Sequence, residues 1–345
     1  MSLLIRFAES DFAPDSLIRF GIRSLIRQRI HNERQKNIKD PQLQSRTFTE
    51  FLRHSPIAVD TKAANEQHYE VPTDFFRMTL GKRLKYSCCY YPSGNETLDQ
   101  AEGHMLRLTC ERAGIEDGLD LLELGCGWGS LTLWMAEHYP RARITAVSNS
   151  APQRKFILER CRKQGWNNVD VITADMNEFQ TEQRFDRILS IEMFEHMRNF
   201  ERLLGNVASW MKPEARLFVH IFCHRKYAYM FETEGSDNWM GRYFFTGGIM
   251  PSYNLLLDFQ KKVAIEDRWL LPGYHYQKTA EQWLGNMDRN RERIIPVLAE
   301  TYGSSNAALW FRRWRIFFMA CAELWGYQNG EEWMVAHYVF RKKTC

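Results

Sequence analysis

Leu119 to His138 reads LDLLELGCGWGSLTLWMAEH. Leu119-Asp120-Leu121-Leu122-Glu123-Leu124 reads as a strand. Gly125, Gly127 and Gly129 then form a tight turn. Ser130–His138 follows as a helix whose first turn Ser130 is placed to cap. Glycines between a strand and a helix let the backbone approach a ligand closely, and the helix start offers it free N–H groups. The G-x-G-x-G spacing departs from the G-x-G-x-x-G dinucleotide fingerprint, which counts against a nicotinamide cofactor.

Outward from this turn the pattern repeats. Strands are expected at 143–147, 169–173, 184–191 and 215–222, and helices at 152–164, where Pro152 starts the first turn, and at 199–211. Strand–helix alternation of this kind specifies an α/β fold with a doubly wound, mostly parallel sheet. The fourth strand runs out through Ile188-Leu189-Ser190-Ile191 into Glu192, Glu195 and His196. That places two carboxylates and an imidazole at the carboxyl end of a strand, where open α/β sheets keep their ligand crevice. After Cys223 the alternation stops. Residues 223–260, centred on Arg242–Gly248, read as an insertion. A strand at 262–270, one helix at 279–298, an aromatic helix at 310–326 and a last strand at 332–342 complete the chain.

Upstream, residues 13–36 form a basic amphipathic helix, with Leu17, Ile18, Ile22, Leu25, Ile26 and Ile30 near helical spacing and Arg19, Arg23, Arg27 and Arg29 between them. Packing on its own domain or on a second subunit is the usual fate of such a helix, so a homodimer through it is left open. Contact with anionic lipid is the weaker reading. Residues 34–62 read as a polar connection. Asn65–Pro72, Phe75-Phe76 and Leu84–Tyr90 are dense in polar and aromatic side chains without periodicity, as in a lid over a pocket. Leu98–Ala113 is a helix leading into the sheet.

A net charge of +4 is too mild to argue for nucleic acid as a partner. No run reaches the roughly 18 apolar residues of a membrane span, and charged residues break any leader at the amino terminus. The eight cysteines show no zinc spacing. His220-Ile221-Phe222-Cys223-His224 lacks the further ligands of a metal site, so no metal is expected. These features describe a reduced, cytoplasmic protein.

Three features taken together, the acidic Glu123 before the glycine turn, the turn itself and Asp175-Met176 closing strand three, resemble the S-adenosylmethionine-dependent class I methyltransferases, a Rossmann-like sheet of seven strands. Strand two ends in Ser148-Asn149-Ser150 with Gln153 close behind, where many such enzymes carry an acid for the ribose. That ending is similar to the cyclopropane fatty acid synthase branch. The segments Asn65–Pro72, Tyr86–Tyr90, Leu122–Gly129, Ile191–Met197, Phe218–His224, Arg242–Gly248 and Gly330–His337 narrow the resemblance to the coclaurine N-methyltransferase group, over roughly residues 60 to 342. It implies four segments: an N-terminal helical extension (1–62), a lid covering the cofactor (63–115), the cofactor-binding core (116–222) and a substrate cap with the remaining strands (223–345). It implies S-adenosyl-L-methionine as cofactor, held by Tyr86, Ser87, Glu123, Gly125, Gly127, Ser148, Asn149, Gln153, Asp175, Met176 and Ile191. It also implies a small amine of tetrahydroisoquinoline type as acceptor, with Tyr69, Phe245, Trp314 and Phe317 packing its rings, although core packing accounts for those aromatics equally well.

Chemistry agrees with an amine. An aliphatic amine with a pKa of about 10, by analogy with lysine, is mostly ammonium at neutral pH, and its lone pair is then unavailable for attack. A carboxylate can hold the ammonium and a neighbouring imidazole can accept its proton. Glu192 is expected to anchor the amine, with Glu195 and His196 as base and orienting partner in unassigned order. In the fatty-acid branch, Gly usually stands at the position of Glu192. There a Cys like Cys88, the Glu-His pair and a His like His220 help hold a bicarbonate, and that lipid-modifying reading is the alternative.

Overall fold

The computed structural model describes residues 3–10, 12–38, 40–59, 71–235 and 238–343. Seven strands form one sheet: β1 (Asp120–Leu124), β2 (Arg143–Ser148), β3 (Val169–Thr173), β4 (Phe185–Ile191), β5 (Met211–His224), β8 (Val263–Pro272) and β9 (Trp333–Lys342). Their order is β3-β2-β1-β4-β5-β9-β8. β9 lies antiparallel to both its neighbours, while β1 to β5 are parallel. The strand numbered β6 (Tyr229–Met230) pairs with β7 (Ile249–Met250) in a separate two-stranded ribbon within the 223–260 insertion.

The order turns round between β1 and β4, the switch point where such sheets open a crevice at their carboxyl ends. Leu124 and Ser190 are partners across that pair. The glycine turn and the Glu192–His196 segment therefore emerge side by side. Strand alternation divides the core as period two requires. Leu121, Leu189 and Phe218 pack in one cluster with the helix Leu98–Ala113, while Leu122, Ile188 and Leu217 pack in another with the helix Phe200–Trp210.

The remaining helices are α1 (Leu3–Ala8), α2 (Asp15–Ile38), α3 (Pro41–His54), α4 (Thr73–Thr79), α5 (Leu98–Ala113), α6 (Ser130–His138), α7 (Ala151–Gln164), α8 (Phe200–Trp210), α9 (Trp239–Tyr243), α10 (Tyr274–Arg289), α11 (Arg291–Tyr302) and α12 (Ala307–Trp325). α2 buries Ile18, Ile26 and Ile30 and lies across α12. Arg19 bonds Glu281 on α10 at 2.6 Å and Glu323 on α12 at 3.0 Å, and Arg23 bonds Glu323 at 2.5 Å. α2 therefore packs on its own chain, while Leu17, Phe20 and Leu25 stay exposed along its outer edge.

Four expectations need correction. The polar connection contains α3, started by Pro41 and capped by Asp40, whose carboxylate accepts the Leu43 N–H at 2.9 Å; it buries Thr49 and Leu52, and most of its other residues are polar. Phe75 and Phe76 are buried on the short helix α4 rather than in irregular chain. The single helix at 279–298 is two, broken at Asn290, whose side chain turns out to donate to the Met78 carbonyl at 3.0 Å. Ser130 does not cap α6: Gly129, at φ +78°, holds the cap position and the Ser130 hydroxyl is buried with no protein partner. Among the described residues no helix is long and apolar enough to cross a membrane.

Candidate active site

A cavity opens at the switch point. All eleven residues expected to hold the cofactor line it, together with Glu192, Met193 and His196. Gly125 has φ +77°, a conformation that side chains rarely adopt, and a Cβ there would lie 2.9 Å from the Met193 side chain. The turn is thus pressed against the segment that carries Glu192. A Gly125→Ala variant is expected to weaken S-adenosylhomocysteine binding at least tenfold by titration calorimetry, with helix content by circular dichroism unchanged.

Three buried polar atoms on the cavity wall, Ser130 Oγ, Trp128 Nε1 and Gln153 Nε2, have no hydrogen-bond partner among the described residues. Buried polar groups left this way call for a ligand or water. Gln153 is oriented for the task, since its carbonyl oxygen accepts the Ser148 hydroxyl at 2.7 Å and its amide nitrogen is left over. Glu123 is 2 % exposed and accepts the Thr132 hydroxyl. Burial pushes its carboxyl up to about 8, so an ammonium group set beside it would draw the proton off. Asp175 is half-buried at the rim, its carboxylate taking the Asn177 N–H at 2.8 Å. This donor set suits a ligand with an ammonium end and a hydroxylated, aromatic end, as S-adenosylmethionine has.

The segment carrying Tyr86 and Ser87 is held from below by Glu102 on α5, a residue missed in the sequence. Its carboxylate, fully buried, accepts N–H groups of Gly81, Arg83 and Lys85 at 2.8 to 3.1 Å. Lys85 is 3 % exposed and donates to the Ser87 hydroxyl and to the Cys88 carbonyl, the latter at 2.8 Å. Its charge bears on three buried carboxyls, Glu102, Glu123 and Glu192, and in each it favours ionisation against burial.

Glu192 stands at φ +47°, one of few side-chain-bearing residues with positive φ. Strain of this kind, of order 1–3 kcal/mol, persists at functional positions where the surroundings over-determine it. Its Oε1 accepts the Cys88 N–H at 2.9 Å and meets His220 Nε2 at 3.1 Å, while Oε2 accepts the Tyr276 hydroxyl at 2.6 Å. Three of about four acceptor positions on a carboxylate are filled from the protein, which leaves one. Burial and the charge of Glu192 hold the Tyr276 phenol well above its usual range, so it remains a donor. Burial likewise holds the Cys88 thiol well above the usual range: it is the backbone of Cys88 that acts here, through its N–H.

Glu195 is fully buried behind the cavity wall, one oxygen accepting the Phe222 N–H at 2.6 Å and the other without a partner. Burial, then the charge of Glu192, pushes its carboxyl well above the normal range. His196 faces the cavity, with its ring 4.5 Å from that of Phe245. Phe245 also meets Phe222 and Phe231. Trp314 is fully buried against Phe75, Phe76 and Phe244, and Phe317 stacks on Phe244 at 4.4 Å, so both sit in the aromatic core and not on the cavity wall. Tyr69 lies outside the described residues. Among those described, no group of three His, Cys, Asp or Glu is placed to hold a metal.

Residues 58–331 match the model of the family described as mycolic acid cyclopropane synthetase. The (S)-coclaurine N-methyltransferase of Thalictrum flavum subsp. glaucum is 40% identical over 99% of this chain and 95% of its own. The chain belongs to this family, in its coclaurine N-methyltransferase-like branch. Pavine N-methyltransferase of the same plant is 35% identical over 99% of this chain and 96% of its own. A crystal structure of coclaurine N-methyltransferase bound to N-methylheliamine and SAH superposes with a TM-score of 0.94 at 37% identity, covering 98% of this chain and 99% of that one. The fold is that of the class I methyltransferases, and the chain is an S-adenosylmethionine-dependent methyltransferase of the N-methyltransferase class.

Proposed function

We propose that this enzyme methylates the amine of a small alkaloid-like molecule of tetrahydroisoquinoline type. The observation that carries this reading is the Glu192 carboxylate, held on the cavity wall in a left-handed backbone with one acceptor position to spare. The similarity to coclaurine and pavine N-methyltransferases supports it. S-adenosylmethionine supplies a sulfonium methyl that an amine lone pair can attack in line. The chain's own part is to hold the ammonium at Glu192, turn its nitrogen toward the cofactor turn and take its proton.

The two carboxyls divide the work because their surroundings push them apart. Burial raises both, but at Glu192 the charge of Lys85 and the Cys88 and Tyr276 donors act against it, whereas Glu195 has only backbone donors and a neighbouring negative charge that raises it further. Glu192 is therefore the more readily ionised of the two and serves as the anchor, while Glu195 holds a proton more tightly. His196, on the cavity wall, is then the acceptor of the substrate's proton, with Phe245 against its ring. Lipid modification is disfavoured by the same geometry. The cradle formed by the Cys88 N–H, His220 and Tyr276 is already filled by an internal carboxylate, so it has no room for a bicarbonate. The exposed Leu17, Phe20 and Leu25 on α2 support self-association through that helix.

Purified protein given isotope-labelled S-adenosylmethionine, a panel of secondary and tertiary tetrahydroisoquinolines and phospholipid vesicles with unsaturated chains tests the function. Label in the amine is expected; label in the acyl chains alone would overturn the proposal.

A further inference from the structure

We propose that Arg112 and His337 are positioning residues for the reaction, fixing His220 as a one-way hydrogen-bond donor to Glu192; this rests on the reading of Glu192 as the amine anchor. His220 on β5 and His337 on β9 are direct cross-strand partners, both fully buried, and neither was assigned a role from the sequence beyond the bicarbonate alternative for His220. Their rings lie 4.7 Å apart. His337 Nε2 is 2.9 Å from His220 Nδ1, and Arg112 Nη1 on α5 is 2.7 Å from His337 Nδ1.

The direction of every proton in this chain follows from one fact. A guanidinium only donates. His337 Nδ1 must therefore accept from Arg112, which leaves the His337 proton on Nε2. That N–H points at His220 Nδ1, so the His220 proton is on Nε2 and is donated to Glu192. A second proton on either ring would set two N–H groups against each other at hydrogen-bond distance. Burial and the charges of Lys85 and Arg112 oppose it as well, holding both imidazoles well below the usual histidine range.

His220 is consequently no base, although it touches the carboxylate. Its role is to present a fixed N–H, and hydrogen bonds in series polarise one another, so the Arg112 charge is felt at Glu192 without direct contact. Arg112 is itself half-buried and lies over the Trp269 ring at 4.7 Å, which limits its alternatives. Among the described residues, the other titratable groups about Glu192 are Lys85, Cys88, Glu195, Tyr276 and Cys321. None of them bonds to His220 or His337, so the polarity of the chain is set by Arg112.

The test uses full-length protein labelled with ¹⁵N in histidine, read by two-bond correlation NMR. The His220 and His337 signals are identified by substituting each in turn. Both are expected as neutral rings with the proton on Nε2 from about pH 6 to 9. An Nδ1–H pattern or an imidazolium at either would overturn the proposal. In turnover, His337→Phe is expected to lower kcat/KM for the amine about tenfold, chiefly through KM, with S-adenosylhomocysteine binding unchanged. His337→Gln, whose amide can accept from Arg112 and donate to His220, is expected to recover activity to within threefold of the parent. Equal losses in the two variants, or none in His337→Phe, would overturn it. Arg112→Met leaves both rings in place and serves if His337→Phe does not fold; it should likewise raise KM, and an unchanged KM would overturn the proposal. If no amine is methylated while both rings show Nε2–H, it is the function that fails and not the hydrogen-bond chain.

Discussion

Glu192→Gln is expected to lower kcat/KM for a tetrahydroisoquinoline amine about 100-fold or more, with S-adenosylhomocysteine affinity unchanged. A hydrogen bond to a charged group contributes about 1.5–3 kcal/mol, and each 1.36 kcal/mol is a factor of ten in rate. Losing the ammonium's anionic partner alone is thus a factor of about 10 to 150. The amide adds a second penalty. Cys88 N–H, the His220 Nε2–H and the Tyr276 hydroxyl all point donors at this side chain. An NH₂ group must face at least one of them, and it is accommodated only where the Tyr276 hydroxyl turns round to accept from it, which removes one of the donors that hold the side chain. Steady-state kinetics with a saturating methyl donor measure the change. A glutamine variant within threefold of the parent would show that the charge at 192 is not what binds the amine. Glu192→Gly separates chemistry from backbone. It should be at least as inactive, while the φ of +47° becomes unstrained.

The parallel sheet was legible because both faces of its central strands are covered. Leu121, Leu122 and Leu124 in β1 and the run Ile188-Leu189-Ser190-Ile191 in β4 mark the two strands, and the glycine turn marks where β1 stops. α3 was passed over because most of its residues are polar, which reads as a connection unless the helical spacing of Phe48, Phe51 and Leu52 is followed. Glu192, Glu195 and His196 stood out by proximity along the chain, and the structure places only the first and third on the cavity. The supports of Glu192 were hidden for a different reason. Tyr276 and His220 reach it across 84 and 28 residues of chain, and His337 reaches His220 across 117. That last contact depends on which strands neighbour β5 and in what register. A histidine within a buried strand is the one local signal, and it does not name its partner. Glu102 is similar: a helical glutamate looks solvated until the loop it clamps is folded over it.

The proton's destination can be separated from its anchor. His196→Ala is expected to reduce kcat by about 10² to 10⁴, the usual contribution of a positioned acid or base, with KM for the amine changed little. Glu195→Gln is expected to reduce kcat by less than tenfold, because burial and the charge of Glu192 favour the protonated carboxyl and glutamine keeps its shape and its acceptor for the Phe222 N–H. Glu195→Ala should be worse than Glu195→Gln, since it leaves a hole at a fully buried position and the Phe222 N–H unpaired. Single-turnover rates separate these effects from product release. Imidazole in solution should restore part of the activity of His196→Ala and none of that of Glu195→Ala. A larger loss in Glu195→Gln than in His196→Ala would reverse the assignment, making the buried glutamate the base and His196 the group that orients it.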